Sequence, residues 1–251
     1  MKKILLASTI LVGSAGVAAA DVSFSGSAFM GIDSNDGGAT WNPKVTASLD
    51  VAMSGETDGG LMFGADFSIN PMGFASGASS PYLTFTGSDA IVSGASVWIS
   101  GDFGKVTLAT ETVFLGIFVN EVTLSYEHSI GDFGVEVNYE WFSAAWDFEL
   151  SYDFGDYDVY LNHNSAGVTG LGGNAAFGDF TVGLDIGDIS AISTTWEITA
   201  GYSMDAISVD VTIGAGSAWE LAGAYDLGGG AAVEASFDDG GNYSLGISMT
   251  F

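Results

Sequence analysis

Two histidines, at positions 128 and 163, are the only imidazoles in this chain of 251 residues, and it has no cysteine. A nucleophilic site needs a base beside a hydroxyl or thiol, and a third group to orient the base. Neither histidine has such neighbours. His128 and Ser129 are adjacent, and adjacent residues in a strand face opposite ways. Carboxylates are the other candidate chemistry. Asp147 and Glu149 stand two apart, so a strand would place both on one face, as a glycosidase pair requires. They belong, however, to a polar parity that runs the length of the chain. Two Asp/Gly segments, Asp33-Ser-Asn-Asp36-Gly-Gly and Asp238-Asp239-Gly-Gly-Asn242, offer the oxygen ligands Ca²⁺ takes, without EF-hand spacing. A structural Ca²⁺ is therefore the single cofactor expectation, against the commoner reading of such segments as turns. No residue is assigned to catalysis, and the chain is read as a non-enzyme.

The elements that carry these acids alternate with a period of two. Tyr243, Leu245, Ile247, Met249 and Phe251 alternate with Ser244, Gly246, Ser248 and Thr250. Val135, Val137, Tyr139 and Trp141 alternate with Glu136, Asn138 and Glu140, and Trp146, Phe148, Leu150 and Tyr152 with Asp147, Glu149 and Ser151. A strand has this period, and a helix does not. The same pattern recurs along the chain and is weakest near 95–100 and 104–110. Collected over all strands, the polar parity carries Asp50, Asp66, Glu127, Glu136, Glu140, Asp147, Glu149, Asp158, Asp185, Glu197, Asp210, Glu220 and Glu234. Rings of carboxylates select cations in pores.

Near-copies of one turn separate the runs: Gly101-Asp-Phe-Gly104, Gly131-Asp-Phe-Gly134, Asp153-Phe-Gly-Asp156 and Phe177-Gly-Asp179. They fall at every second connection. One end of the structure then has short turns and the other longer links, the asymmetry of an outer-membrane barrel. Aromatic residues mark both ends. Trp41, Trp141, Trp146, Trp196, Trp219 and Tyr243 flank the long links; Phe103, Phe133, Phe154 and Phe251 flank the short turns. Two aromatic belts around an apolar band indicate a barrel in lipid. The expected fold is an all-β, antiparallel, up-and-down transmembrane barrel of about sixteen strands with periplasmic termini, fourteen being the alternative count. A soluble sandwich would instead place its largest side chains mid-strand and inward.

Composition agrees. Residues 1–20 have two lysines, a short apolar run and a small-residue end at Ala18-Ala19-Ala20, the form of a cleaved secretory signal. The barrel domain then spans 21–251. Its 31 acidic residues face only Lys44 and Lys105, with no arginine, so the mature charge is 2 − 31 = −29. That charge repels nucleic acid and attracts cations. Disorder is excluded by 47% hydrophobic and 13% aromatic residues.

Four stretches resemble the alphaproteobacterial general porins of the Rhodobacter and Roseobacter type. These are Asp21-Val-Ser-Phe-Ser-Gly, the segment 53–65 (MSGETDGGLMFGA), the segment 97–108 (VWISGDFGKVTL) and the terminal Ser248-Met-Thr-Phe251. The resemblance implies a sixteen-stranded homotrimer in the outer membrane of a Gram-negative bacterium. It also implies passive diffusion of small hydrophilic solutes, and a terminal Phe251 used as the barrel-insertion signal. The chain departs from the family twice. The link 111–120 (ETVFLGIFVN), where relatives fold a long third loop into the pore, is short and mostly apolar. The arginine cluster that relatives set against acidic loop residues is missing, so no transverse field can form. Either the pore is wider, or the link 70–94 folds inward or contacts a neighbouring subunit. The sequence-based expectation is thus a cation-selective porin of lipid, small solutes and cations, the alternative being a structural or adhesive barrel without general transport.

Overall fold

The computed structural model describes residues 21–34, 37–69, 74–75, 84–85, 92–110, 112–114, 118–119, 121–189 and 195–251. The signal expected over 1–20 lies outside them. Sixteen long strands follow in order: β1 Asp21–Ser34, β2 Asn42–Glu56, β3 Met62–Ile69, β4 Val92–Gly101, β5 Gly104–Thr110, β6 Val122–Ile130, β7 Phe133–Glu140 and β8 Trp146–Asp153. The second half is β9 Tyr157–Asn164, β10 Thr169–Phe177, β11 Phe180–Ile186, β12 Trp196–Met204, β13 Ile207–Gly214, β14 Trp219–Gly228, β15 Ala231–Asp238 and β16 Tyr243–Thr250. Each pairs antiparallel with its neighbour in sequence.

The sheet closes on itself. β16 returns to β1, from Ser27↔Thr250 to Ser34↔Tyr243. Phe251 continues the seam: its N–H donates to the Gly26 carbonyl at 2.9 Å, and its own carbonyl accepts from Gly26 N–H at 3.2 Å. Closure leaves no edge where β1 meets β16. A spanning sheet requires this, because the hydrocarbon offers backbone groups no partner.

Burial separates this barrel from a soluble sheet protein. Among the described residues Val51 is the only buried apolar side chain. Large hydrophobics lie open along the outward parity of nearly every strand, such as Leu150, Leu171, Leu184, Ile198, Leu221 and Leu245. A β-sandwich would hide such groups between its sheets.

The two ends differ as the turn pattern indicates. Six of the seven short connections carry an exposed aspartate, Asp58, Asp102, Asp132, Asp156, Asp179 and Asp205, and the seventh has Asp226 just before it, near the end of β14. Their carboxylates can hold the turn itself, as Asp226 does in accepting the Gly228 N–H at 2.7 Å. Gly104 shows why the repeated turn ends in glycine. Its φ is +101°, and a Cβ there would sit 2.4 Å from the Glu127 carbonyl oxygen.

The segments with the weakest alternation, 95–100 and 104–110, are regular strands paired from Ser96↔Ala109 to Gly101↔Gly104. Their pattern is blurred because Trp98 sits on the polar parity, stacked against Gly64 of the next strand. A Cβ on Gly64 would lie 2.5 Å from the indole. The aromatic ring covers the gap that the glycine leaves.

Candidate functional site

Antiparallel partners share a face of the sheet, so the register groups the acids directly. One row runs Met62–Ser100–Lys105–Glu127–Glu136–Glu149–Asn162–Gly170 across β3 to β10. Three glutamates thus stand side by side on adjacent strands. A second row runs Ser23–Ala52–Asp66–Ser96–Ala109–Thr123–Glu140. A third joins Asp153–Asp158–Asn174–Gly183–Thr199–Thr212–Glu220–Asp238. Asp185 and Glu197 are direct partners. Asp210 lies level with Gly201 and Ala222, Glu234 with Ala224 and Gly246, and Asp50 with Ser25 and Ser68. Asp147 lies between Asn138 and Asn164. All thirteen expected acids therefore fall on one face.

Short polar side chains hold these carboxylates. Ser68 Oγ donates to Asp50, Ser96 Oγ to Asp66 and Ser248 Oγ to Glu234. Asn138 Nδ2 lies 3.0 Å from both Glu136 and Asp147, and Asn174 Nδ2 lies 3.2 Å from Asp158. The Tyr160 hydroxyl reaches across β10, over Gly172, to donate to Asp185 at 2.6 Å. Glu149 lies within electrostatic range of Glu136, Asp147, Asp158 and Asp185. A recess of about 520 Å³ opens beside Glu136, Glu140, Asp147, Glu149 and Asn162.

Both lysines of the strands share this face, and each is paired. Lys44 Nζ lies 3.6 Å from Asp33 and 5.7 Å from the centre of the Phe29 ring. Lys105 Nζ lies 3.4 Å from Glu127 and 6.0 Å from the Trp98 ring. Each cation is thus held by a carboxylate and an aromatic face.

Some residues of the face escaped sequence reasoning. Asp33, Glu56, Asp153, Asp226 and Asp238 stand at strand ends on the same parity. Asp153, Asp226 and Asp238 each continue a polar parity by one step, at the point where strand passes into turn. Phe29, Trp98 and Tyr160 are aromatic intrusions on the polar face. Their signal is a facing glycine: Gly31 and Gly246 for Phe29, Gly64 for Trp98 and Gly172 for Tyr160.

The belt residues occupy opposite ends of the outward face. Trp41, Trp141, Trp146, Trp196 and Trp219 are exposed beside the long links, and Tyr243 packs on Trp41 at 4.2 Å between ring centres. At the short-turn end Phe103, Phe133, Phe154 and Phe251 are exposed, Phe251 to 78%. Tyr152, Tyr157, Phe180 and Tyr202 add to this end, Tyr157 stacking on Phe154 and Tyr152 packing tilted against it. His163 joins the Trp146 and Phe148 rings on the outward face, while His128 lies near the opposite end, beside Tyr126. The two imidazoles share no site.

The two Asp/Gly segments considered for Ca²⁺ are neighbours. Gly37 N–H reaches Asn242 Oδ1 at 3.3 Å. Asp238 is occupied within its own turn, accepting from Asn242 N–H and Nδ2, and Asp33 is paired with Lys44. Asp36 lies outside the described residues. Among the described residues no group of three metal-ligating side chains converges.

A closed antiparallel barrel with an apolar outer band and a continuous polar face defines the class of transmembrane β-barrels. The family model for Gram-negative porin matches residues 7–123. The porin of Rhodopseudomonas blastica, solved as a mutant, superposes with a TM-score of 0.67 at 16% identity, over 92% of this chain and all of that one. A porin refined at 1.8 Å has a TM-score of 0.65 at 21% identity over the same shares. OmpT, an outer-membrane protein of Vibrio cholerae solved in trimer form, has a TM-score of 0.67 at 12% identity, over 93% of this chain and all of that one. No curated protein matches the chain in sequence. The comparisons thus give this chain the fold of Gram-negative outer-membrane porins over nearly its whole length, and a match to their family model over residues 7–123, in keeping with the alphaproteobacterial general porins that its sequence resembles.

Proposed function

We propose that this porin is a water-filled, cation-preferring diffusion channel for small hydrophilic solutes, assembled as a homotrimer. The carrying observation is the single register that unites thirteen carboxylates on one face while pairing both lysines of that face with acids. In a lipid-embedded barrel the apolar face meets hydrocarbon, so the acidic face lines the lumen. An acidic wall raises the local cation concentration and repels anions. Because neither lysine is free, nothing on that wall offers an anion an uncompensated positive charge. The aromatic ends support the usual role of interfacial anchors. The trimer rests on likeness to a barrel solved as one. No structural Ca²⁺ or other cofactor enters this reading.

The test is the reversal potential of the purified protein in a planar bilayer under a KCl gradient. A value displaced toward K⁺ equilibrium is expected. A value displaced toward Cl⁻ equilibrium overturns the reading. Folded protein that passes no current favours a structural barrel.

A further inference from the structure

The polar face carries acids on most strands, but at the long-link end of β14 to β2 it carries both signs of charge. A recess of about 240 Å³ opens there. Lys44 of β2 and Asp33 of β1 stand on one flank of it, Glu220 of β14 and Asp238 of β15 on the other. Between the flanks lie the hydroxyls of Ser236 and Ser244, which are cross-strand partners, and the amide of Asn242. Lys105, the other lysine of the strands, is at the opposite, short-turn end, next to Gly104.

The groups of this recess are held in place without being used up. Lys44 Nζ lies 3.6 Å from Asp33, longer than a charge-assisted hydrogen bond, and the lysine side chain is 45% exposed. Its three N–H donors stay open to a guest. Asp238 is fixed by its own turn, accepting from Asn242 N–H and Nδ2 at 2.9 Å each. Glu220 is exposed and is the direct cross-strand partner of Asp238. Like charges directly opposite repel, and a cationic group set between them relieves the repulsion. Asp238 and Lys44 are three strand spacings apart, about 14 Å along the wall, and both side chains line the recess between them.

A simple anion entering here meets the carboxylates of Asp33, Glu220 and Asp238, and a simple cation meets the ammonium of Lys44. A solute that carries both charges matches both flanks, and like-charge contacts select against the others. We propose that this recess captures small zwitterions, amino acids and related ammonium carboxylates, with the guest carboxylate on Lys44 and its ammonium between Glu220 and Asp238. The volume holds about eight groups of about 30 Å³, the share of one water molecule, which is the size of a small amino acid. The inference rests on the lumen reading above and adds a solute class to it. A zwitterion has no net charge, so a uniformly acidic wall would not concentrate it.

Uptake of labelled L-threonine into liposomes that carry the purified protein tests this, with erythritol as a neutral reference of the same size. At about 0.1 M salt, threonine supplied at low concentration should enter severalfold faster than erythritol, because two exposed ion contacts together enrich it up to roughly tenfold. The excess should saturate as threonine is raised, and should vanish at about 1 M salt, where the Debye length is about 3 Å. Lys44→Met and Glu220→Gln should each bring the two rates together with erythritol entry unchanged. Lys44→Glu combined with Glu220→Lys pairs the new acid with Asp33 and the new ammonium with Asp238, the mirror image of the native recess. That exchange should restore the excess, which a merely structural loss would not allow. Equal entry of both solutes through the native protein overturns the proposal, as does an excess that survives both single substitutions. A folded charge-exchanged protein without the excess overturns it too. Protein through which neither solute enters defeats the channel reading itself, so the two failures are distinguishable.

Discussion

Replacing Glu136 and Glu149 by glutamine probes the acidic wall where it is densest. The two are direct partners on β7 and β8, flanked by Glu127. A cation at the wall about 5 Å from one carboxylate gains about 0.8 kcal/mol in water. Two carboxylates at that distance give about 1.7 kcal/mol unscreened, and about 1 kcal/mol at 0.1 M salt, where the Debye length is about 10 Å. That is roughly a fivefold local enrichment of cation, from which anions are correspondingly depleted. At 1 M salt the Debye length is about 3 Å and the enrichment falls below about twofold. The double variant should therefore show a reversal potential clearly nearer zero than the wild type at 0.1 M, with its sign kept by the remaining acids. The two proteins should converge at 1 M. The same change removes a like-charge pair between facing strands, so the barrel should gain up to about 1 kcal/mol, seen as a higher unfolding midpoint in urea. Equal reversal potentials at 0.1 M would refute the reasoning, because an acid row in the lumen cannot be electrically silent in dilute salt.

Other outcomes follow from the same geometry. Lys105→Gln leaves Glu127 unpaired and should strengthen cation preference at 0.1 M, read by the same gradient. Leu150→Arg places a charge on the outward face at mid-strand and should cost about 2–4 kcal/mol by urea unfolding in lipid. Ser151→Arg, one residue on and on the opposite face, should fold normally and lower cation preference. Gly246→Ala would place a Cβ 2.3 Å from the Phe29 ring and 2.6 Å from the Met30 carbonyl oxygen, at the closing seam. It should destabilise the barrel by at least about 1–3 kcal/mol, seen as loss of heat-modifiable migration at a lower temperature.

The barrel was legible because its two faces meet different solvents. Alternation of Val135, Val137 and Tyr139 with Glu136 and Asn138 survives in the sequence since lipid and water each act on one parity. The repeated Gly-Asp-Phe-Gly turns gave the hairpin order and the two ends. The strand count of sixteen follows from them, and the acids placed on one parity all share one face. Three things were not legible, each for a physical reason. Trp98 and Phe29 break the alternation because a glycine on the next strand lets a ring lie flat on the polar face. Asp33, Asp153 and Asp238 lie where strand grades into turn, and the turn's own hydrogen bonds mask the period. Where the short run 112–114 lies depends on which strand pairs with it. Its composition names no partner, and the register of Thr112 and Val113 with Ser93 and Val92 is seen only in the structure.

The most direct test of the account is the zero-current potential of single channels across a tenfold KCl gradient in dilute salt. The account predicts stepwise openings whose potential lies close to the K⁺ equilibrium value and relaxes toward zero as both solutions are concentrated. A potential near zero in dilute salt, or one displaced toward Cl⁻, would contradict it.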